Sequence, residues 1–239
     1  MNALIDQIYE TDLVRDRLGN EYPLGGKVEK DQCRHLYKLI KADPSVVKTL
    51  EVGLAHGLST MHICEALRGR KGAKHTVLDP NQRDQYHNIG LFNLEKLGVD
   101  YFEFIEKGSE YVLPKLAEEQ PASFDFIFVD GRHTFDHALV DVFYSLRLLR
   151  IGGYLALDDC HWNSVAKVVE YIVNYPCLKI QSVWPFAGAR IKIKKVLKNP
   201  VIRPFLPPSL KDRVKKRGRM VVFTKVAEDA RSYLWYKPF

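Results

Sequence analysis

The 239 residues are 46% apolar, enough for one large core, and no run approaches the ~18–20 apolar residues a membrane helix needs. The N-terminus, Met1-Asn-Ala-Leu-Ile-Asp6, lacks a basic-then-apolar leader, so a soluble cytoplasmic protein is expected. The net charge of +7 is concentrated: residues 190–219 hold twelve Lys or Arg against one acid, Asp212, and taking that +11 from the total leaves −4 elsewhere. Such a segment can meet an anionic acceptor, a membrane surface or nucleic acid, or form a solvated insertion. Cys33, Cys64, Cys160 and Cys177 have no metal-type spacing; Cys160 reads as a small buried hydrophobe.

In chain order, residues 1–45 read as a helical extension capping one end of a sheet, broken at Gly25-Gly26, with a second helix over 29–41. From residue 46 short apolar runs alternate with amphipathic stretches. Strands are predicted at 46–52, 75–79, 101–105, 125–130 and 154–158, and helices at 58–67, 84–97, 110–118 and 135–149. A helix over 163–175 and strands over 178–183 and 220–225 follow. That alternation predicts one α/β domain over 46–239, with a Rossmann-like, seven-stranded, mostly parallel sheet and helices on both faces. The basic insertion, 190–219, precedes the last strand. Pro200, Pro204, Pro207 and Pro208 exclude a continuous helix there.

The chemistry sits at strand ends. Asp158-Asp159 follows the apolar run 151–157, and Asp130 ends the run 124–129. Three carboxylates converging at one sheet edge need positive charge, and hard oxygen ligands suit Mg²⁺ or Ca²⁺. The first strand ends in Glu51-Val-Gly53-Leu-Ala55-His-Gly57-Leu-Ser59-Thr60, a glycine turn into a helix whose positive N-terminus carries two hydroxyls. Its spacing differs from the dinucleotide pattern G-x-G-x-x-G, which argues against an NAD-dependent oxidoreductase. Glu51 beside the turn suits a ligand bearing an ammonium or sulfonium. Ser109 before Glu110 also makes a good helix start.

The turn Glu51-x-Gly53-x-x-x-Gly57-x-Ser59-Thr60 resembles the first motif of class I S-adenosylmethionine-dependent methyltransferases, with Ala55 where a glycine is common. The resemblance implies that Asp79, ending the second strand, receives the ribose hydroxyls of S-adenosylmethionine, and that Gly108-Ser109 forms the adenine-contacting turn. Asp130-Gly-Arg-His133 and Asp158-Asp159, 28 residues apart from acid to acid, resemble the metal-dependent small-molecule O-methyltransferases of the catechol and macrocin/novobiocin types. This implies Mg²⁺ held by Asp130, Asp158 and Asp159, with Asp130 also near the cofactor. It places His133 where catechol-type enzymes carry a lysine base; Arg132 stands where sugar-type enzymes have an acid. His161 and Trp162 are candidates for the acceptor pocket or for a further ligand.

The reading that follows is Mg²⁺-dependent O-methylation of a small hydroxylated acceptor, a sugar, phenol or natural-product intermediate, with His133 and Asp158 as catalytic residues. Arg132 and the basic segment suggest negative charge on the acceptor. A macromolecular or lipid-linked glycan acceptor docked by 190–219 is the alternative, ahead of a non-catalytic binding domain. Related enzymes make a homodimer through N-terminal helices an expectation.

Overall fold

The computed structural model describes residues 2–184 and 219–237. Its frame is a seven-stranded sheet. The strands are β3 (Lys48–Val52), β4 (Lys74–Leu78), β5 (Phe102–Ile105), β6 (Phe124–Val129), β7 (Leu149–Leu157), β8 (Leu178–Trp184) and β9 (Met220–Lys225), in the order β5-β4-β3-β6-β7-β9-β8. Only β9 runs against the others, pairing antiparallel with both β7 and β8.

Every residue of β6 is buried, which is why it reads as a continuous apolar run rather than an alternating one. Its side chains part to two cores. Ile127 and Val129 pack with α5 (Ser109–Glu119), α6 (Phe135–Leu148) and α7 (Asn163–Ile172). Phe126 and Phe128 pack with α2 (Lys30–Ala42) and α3 (Leu58–Leu67) on the other face. The one acid inside β6, Asp125, is satisfied by the backbone N–H groups of Val47 and Lys48 and by Arg150 Nε.

The sequence expectation fails at two elements. Residues 1–45 are not helical throughout: α1 (Ala3–Thr11) stops at Asp12 in the left-handed region, and a small antiparallel hairpin, β1 (Leu13–Arg15) and β2 (Glu21–Pro23), precedes α2. Asp16 builds its loop by accepting N–H bonds from Leu18 and Asn20, an Asx-type turn. The helix expected over 84–97 is α4 (Ile89–Lys96), because His87 and Asn88 hold positive φ of 50° and 55°, which a right-handed helix cannot contain. Residues 190–218 of the basic insertion lie outside the described residues, and with them the expectations placed there.

Candidate functional site

β3 starts the chain's path through the sheet. From it the strands run to β4 and β5 on one side, then return to β6 and β7 on the other. The sheet therefore reverses its winding between β3 and β6, and the loops after their C-terminal ends diverge to leave a crevice. A cavity of about 840 Å³ opens there, within the usual range for a small-molecule site.

Gly53 leaves β3 at φ 97°, and a Cβ on it would stand 2.2 Å from the carbonyl oxygen of Asp130 at the end of β6. Only glycine permits that approach, and it brings the cofactor-type turn and the acidic strand end into contact. Ala55, two residues on, adopts φ 47°. Asp79 clamps this turn. Its Oδ2 accepts the N–H groups of Leu54 and Ala55, each at 2.9 Å, and its Oδ1 accepts that of Asn81 at 2.7 Å. Asp79 lines the cavity, yet most of its acceptor capacity is committed to backbone; the turn is its first partner, ahead of any ribose hydroxyl.

Of the other residues expected to hold the cofactor, Gly53, Ala55, Ser59, Gly108, Ser109 and Asp130 line the cavity. Glu51, Gly57 and Thr60 do not. Glu51 is wholly buried: Ser59 Oγ donates to one carboxylate oxygen at 2.5 Å and His75 Nε2 stands 3.0 Å from the other. It is a core partner of Ser59 and His75, not a wall for a cationic ligand. Gly57 serves instead as the left-handed N-cap of α3, and Thr60 is fully buried one turn in.

The adjacent acids diverge. Asp159 takes φ 48°, a left-handed conformation that aspartate tolerates better than most residues. Asp158, 5% exposed, has its Oδ1 bonded by Gln32 Nε2 at 2.6 Å. Asp159 turns to the other side, where its Oδ2 lies 3.1 Å from His133 Nε2, which is also 3.2 Å from Asp130 Oδ1. One ligand atom each from Asp130, His133 and Asp159 falls within 4.8 Å of the others. The trio gathered here is therefore Asp130, His133 and Asp159, while Asp158 lines the same cavity with its Oδ1 bonded to Gln32. His161 Nδ1 stands 3.5 Å from Asp159 Oδ1, outside that trio.

Electrostatics at the cluster call for a cation. Burial, with Asp159 and Glu51 adding to it, pushes the Asp130 carboxyl up to about 6. Burial and the Asp130 charge raise Asp158 well above the usual range. The hydrogen bond to Asp130 raises His133. Its Nε2 faces both carboxylates, so His133 is placed to hold a proton, or an ion in its stead, between them, and not as the free base the sequence suggested. Oxygen and nitrogen donors crowded at this distance, short of positive charge, fit a divalent ion.

Sequence reasoning missed Gln32 and residues 24–28, which also line the cavity. The Gly25-Gly26 pair was visible only as a helix break. Trp162, expected at the pocket, lines the cavity and its ring lies 5.3 Å from that of His133. Arg132 lines it too, as does Arg219, the last residue of the basic segment, whose Nη1 donates to Glu29.

A six-to-one parallel sheet with a glycine turn clamped by the next strand's acid, opening on the crevice at the winding reversal, is the class I methyltransferase fold. Residues 50–160 match the family described as Methyltransferase domain. A caffeoyl-CoA O-methyltransferase of Populus kitakamiensis is 32% identical over 163 residues, 66% of this chain and 66% of its own. A tapetum-specific methyltransferase of Arabidopsis thaliana is 29% identical over 147 residues, 61% of this chain and 59% of its own. Residues 50–160 are thus similar to a methyltransferase domain, and the longer match is to a caffeoyl-CoA O-methyltransferase. The chain spans 66% and 59% of the length of these two curated relatives, under two thirds. Among solved structures, an O-methyltransferase from Bacillus cereus in complex with S-adenosylhomocysteine superposes with a TM-score of 0.65 at 16% identity, covering 94% of this chain and 92% of that one. An O-methyltransferase from Streptomyces achromogenes involved in tomaymycin synthesis, in complex with S-adenosylmethionine, gives 0.64 at 15% identity, covering 95% and 91%. At such identities the shared property is the fold. No helix among the described residues is long and apolar enough to cross a membrane.

Proposed function

We propose that this protein transfers the methyl group of S-adenosylmethionine to a hydroxyl of a small acceptor, with a divalent ion at Asp130, His133 and Asp159. The carrying observation is that the glycine turn and the acid cluster share one cavity, joined where Gly53 meets the Asp130 carbonyl. The turn Gly53–Ala55, the hydroxyl of Ser59 and the Gly108-Ser109 turn form the wall for the cofactor. Bound at the cluster, an ion would supply charge that makes an acceptor hydroxyl more acidic and fixes its position.

The chain's own residues then have separate tasks. Asp79 keeps the turn closed on its backbone N–H groups. Asp158, anchored by Gln32, faces the same cavity and takes the hydroxyl proton. The acceptor oxygen displaces the methyl carbon from sulfur, so one S–C bond breaks as one O–C bond forms, and S-adenosylhomocysteine leaves. Holding both partners in line supplies much of the rate. Trp162 and Arg132 on the wall support an aromatic or anionic acceptor, and the name of the first relative puts caffeoyl-CoA in the panel to test.

The test is calorimetric titration of S-adenosylmethionine, S-adenosylhomocysteine and NAD, followed by labelled-methyl transfer to phenols, caffeoyl-CoA and sugars with and without chelator. Micromolar binding of the first two and ion-dependent transfer to oxygen are expected. Binding of NAD instead, or of none of the three, overturns the reading.

A further inference from the structure

We propose that this chain pairs with a second copy of itself through the outward face of α6, the two helices lying antiparallel about a twofold axis that passes between Asp141 and Val142. The proposal is independent of the methyl-transfer reading. It places the dimer contact on the face of the sheet opposite α2, not on the N-terminal helices where the resemblance to related enzymes put it.

α6 is apolar on both of its faces. Ala138, Asp141, Val142, Ser145, Leu146 and Leu148 turn to the core. The line directly opposite is Asp136, Val140, Phe143 and Arg147, spaced 4-3-4 along the helix. A surface helix normally turns polar residues to solvent on that side. Here the middle two are Val140, 36% exposed, and Phe143, 41% exposed. Leu139 and Tyr144, half-buried, flank them on either side. α6 packs against both α5 and α7, which carry exposed ion pairs, Lys115 with Glu119 and Lys167 with Glu170. An apolar centre within a polar rim is the anatomy of an interface.

The line is also complementary to itself. Reversed about its midpoint, Asp136 falls on Arg147, Val140 on Phe143 and Leu139 on Tyr144. An antiparallel copy therefore sets Val140 against Phe143 at the centre and Asp136 against Arg147 at both ends. A twofold interface requires this, because one patch must fit itself. The 4-3-4 spacing is the seam of two helices crossing at about 20°. Parallel copies would instead oppose Asp136 to Asp136 and Arg147 to Arg147. Both charges are available: the Asp136 side chain is 77% exposed, and Arg147 lies over the Phe143 ring, 3.6 Å from its centre, with its side chain in solvent.

The size of the patch sets the strength. The 14 residues of α6 run about 21 Å. One helix face of that length falls well short of the ~800 Å² per partner of a standard interface. A reversible dimer follows, not an obligate one.

Sedimentation of the full chain across a wide concentration range reads the association, with circular dichroism checking that each variant is folded. Wild type is expected to pass from monomer to dimer with a midpoint on the order of 10 µM. Phe143→Glu should weaken pairing by at least about 30-fold, the loss typical of an interface hot spot. Asp136→Arg and Arg147→Asp should each weaken it by about tenfold or more, since each creates two like-charge contacts. Two combinations should then restore it: the double variant Asp136→Arg/Arg147→Asp, and an equimolar mixture of the two single variants. A chain that stays monomeric throughout overturns the inference. So does a dimer unchanged by Phe143→Glu and by both charge reversals, because its contact then lies elsewhere. Weakening by the single reversals with no recovery in the double variant or the mixture overturns the antiparallel pairing. Should Phe143→Glu fail to fold, Val140→Glu takes its place with the same expectation.

Discussion

Gln32 and Asp158 lie 126 positions apart, yet the side-chain amide of one donates to the carboxylate of the other at 2.6 Å, and both are almost wholly buried. The contact ties α2, outside the stretch that matches the methyltransferase domain, to the end of β7 inside it. It also explains how two adjacent acids coexist at a strand end: each is handed to a different partner.

Replacing Gln32 by Leu leaves the Asp158 oxygen buried without its donor. The expected cost is about 1–3 kcal/mol of stability, the usual penalty for orphaning a buried polar group. Turnover should fall further than stability alone explains, since Asp158 loses the anchor that aims it into the cavity. Gln32→Glu should be worse, adding a buried charge against Asp158. Urea melts and initial rates on folded protein check this; a variant with wild-type stability and rate would show that the contact orients nothing.

Asp130 and His133 also predict how stability depends on pH without an ion. Both have folded-state pKa values raised above the unfolded ones, Asp130 from 3.8 to about 6. The folded state therefore binds protons more tightly. The associated stability is complete below about pH 4, and it is lost as pH rises through about 6 and past the raised His133 value. A bound divalent ion replaces those protons. The melting temperature gained on adding the ion should thus be larger at pH 8 than at pH 5. A gain that is flat or falls with pH would contradict the charge balance described for the cluster.

Asp141 offers a second test away from the cluster. It lies in α6, 1% exposed, and burial pushes its carboxyl up to about 6. Its charge should cost the fold about 3 kcal/mol above that pH, since each tenfold change in proton affinity is worth about 1.4 kcal/mol. Asp141→Asn should accordingly be more stable than wild type at pH 8 and no more stable at pH 4. Denaturant melts at the two pH values decide; equal effects at both would mean that packing, not charge, governs the site.

The parallel frame was legible because burial on both faces leaves a plain trace: the run 124–129 is apolar but for Asp125, and it ends on an acid at the sheet edge. The same trace led to Asp130, Asp158 and Asp159 as neighbours. The hairpin was not legible, since three-residue strands with one side chain buried or half-buried carry no usable period. Nor was the separation of Asp158 from Asp159, which follows from one left-handed φ and from a glutamine on a distant helix. Glu51 was misplaced for a related reason. Its charge was visible, but its burial against His75 exists only once β3 and β4 pair.

The glycine turn yields paired substitutions with opposite signs. At Gly53 an added Cβ would meet the Asp130 carbonyl oxygen at 2.2 Å and its carbon at 2.9 Å, both backbone atoms, on a residue at φ 97°. Neither neighbour can move without displacing the end of β6. Gly53→Ala should therefore lose several kcal/mol, in the tail reserved for overpacking and strained backbone, and it should weaken cofactor and ion together. Ala55 is the converse. It already holds φ 47°, at a strain of about 1–2 kcal/mol for a residue with a Cβ. Ala55→Gly relieves that strain while making the unfolded chain more flexible, which takes back about 0.4–1 kcal/mol. A net gain of up to about 1 kcal/mol is expected, with cofactor affinity retained because Asp79 still holds the N–H of residue 55. Thermal melts and S-adenosylhomocysteine titration measure both. Destabilisation by Ala55→Gly would mean that the left-handed alanine is held by packing that outweighs its strain.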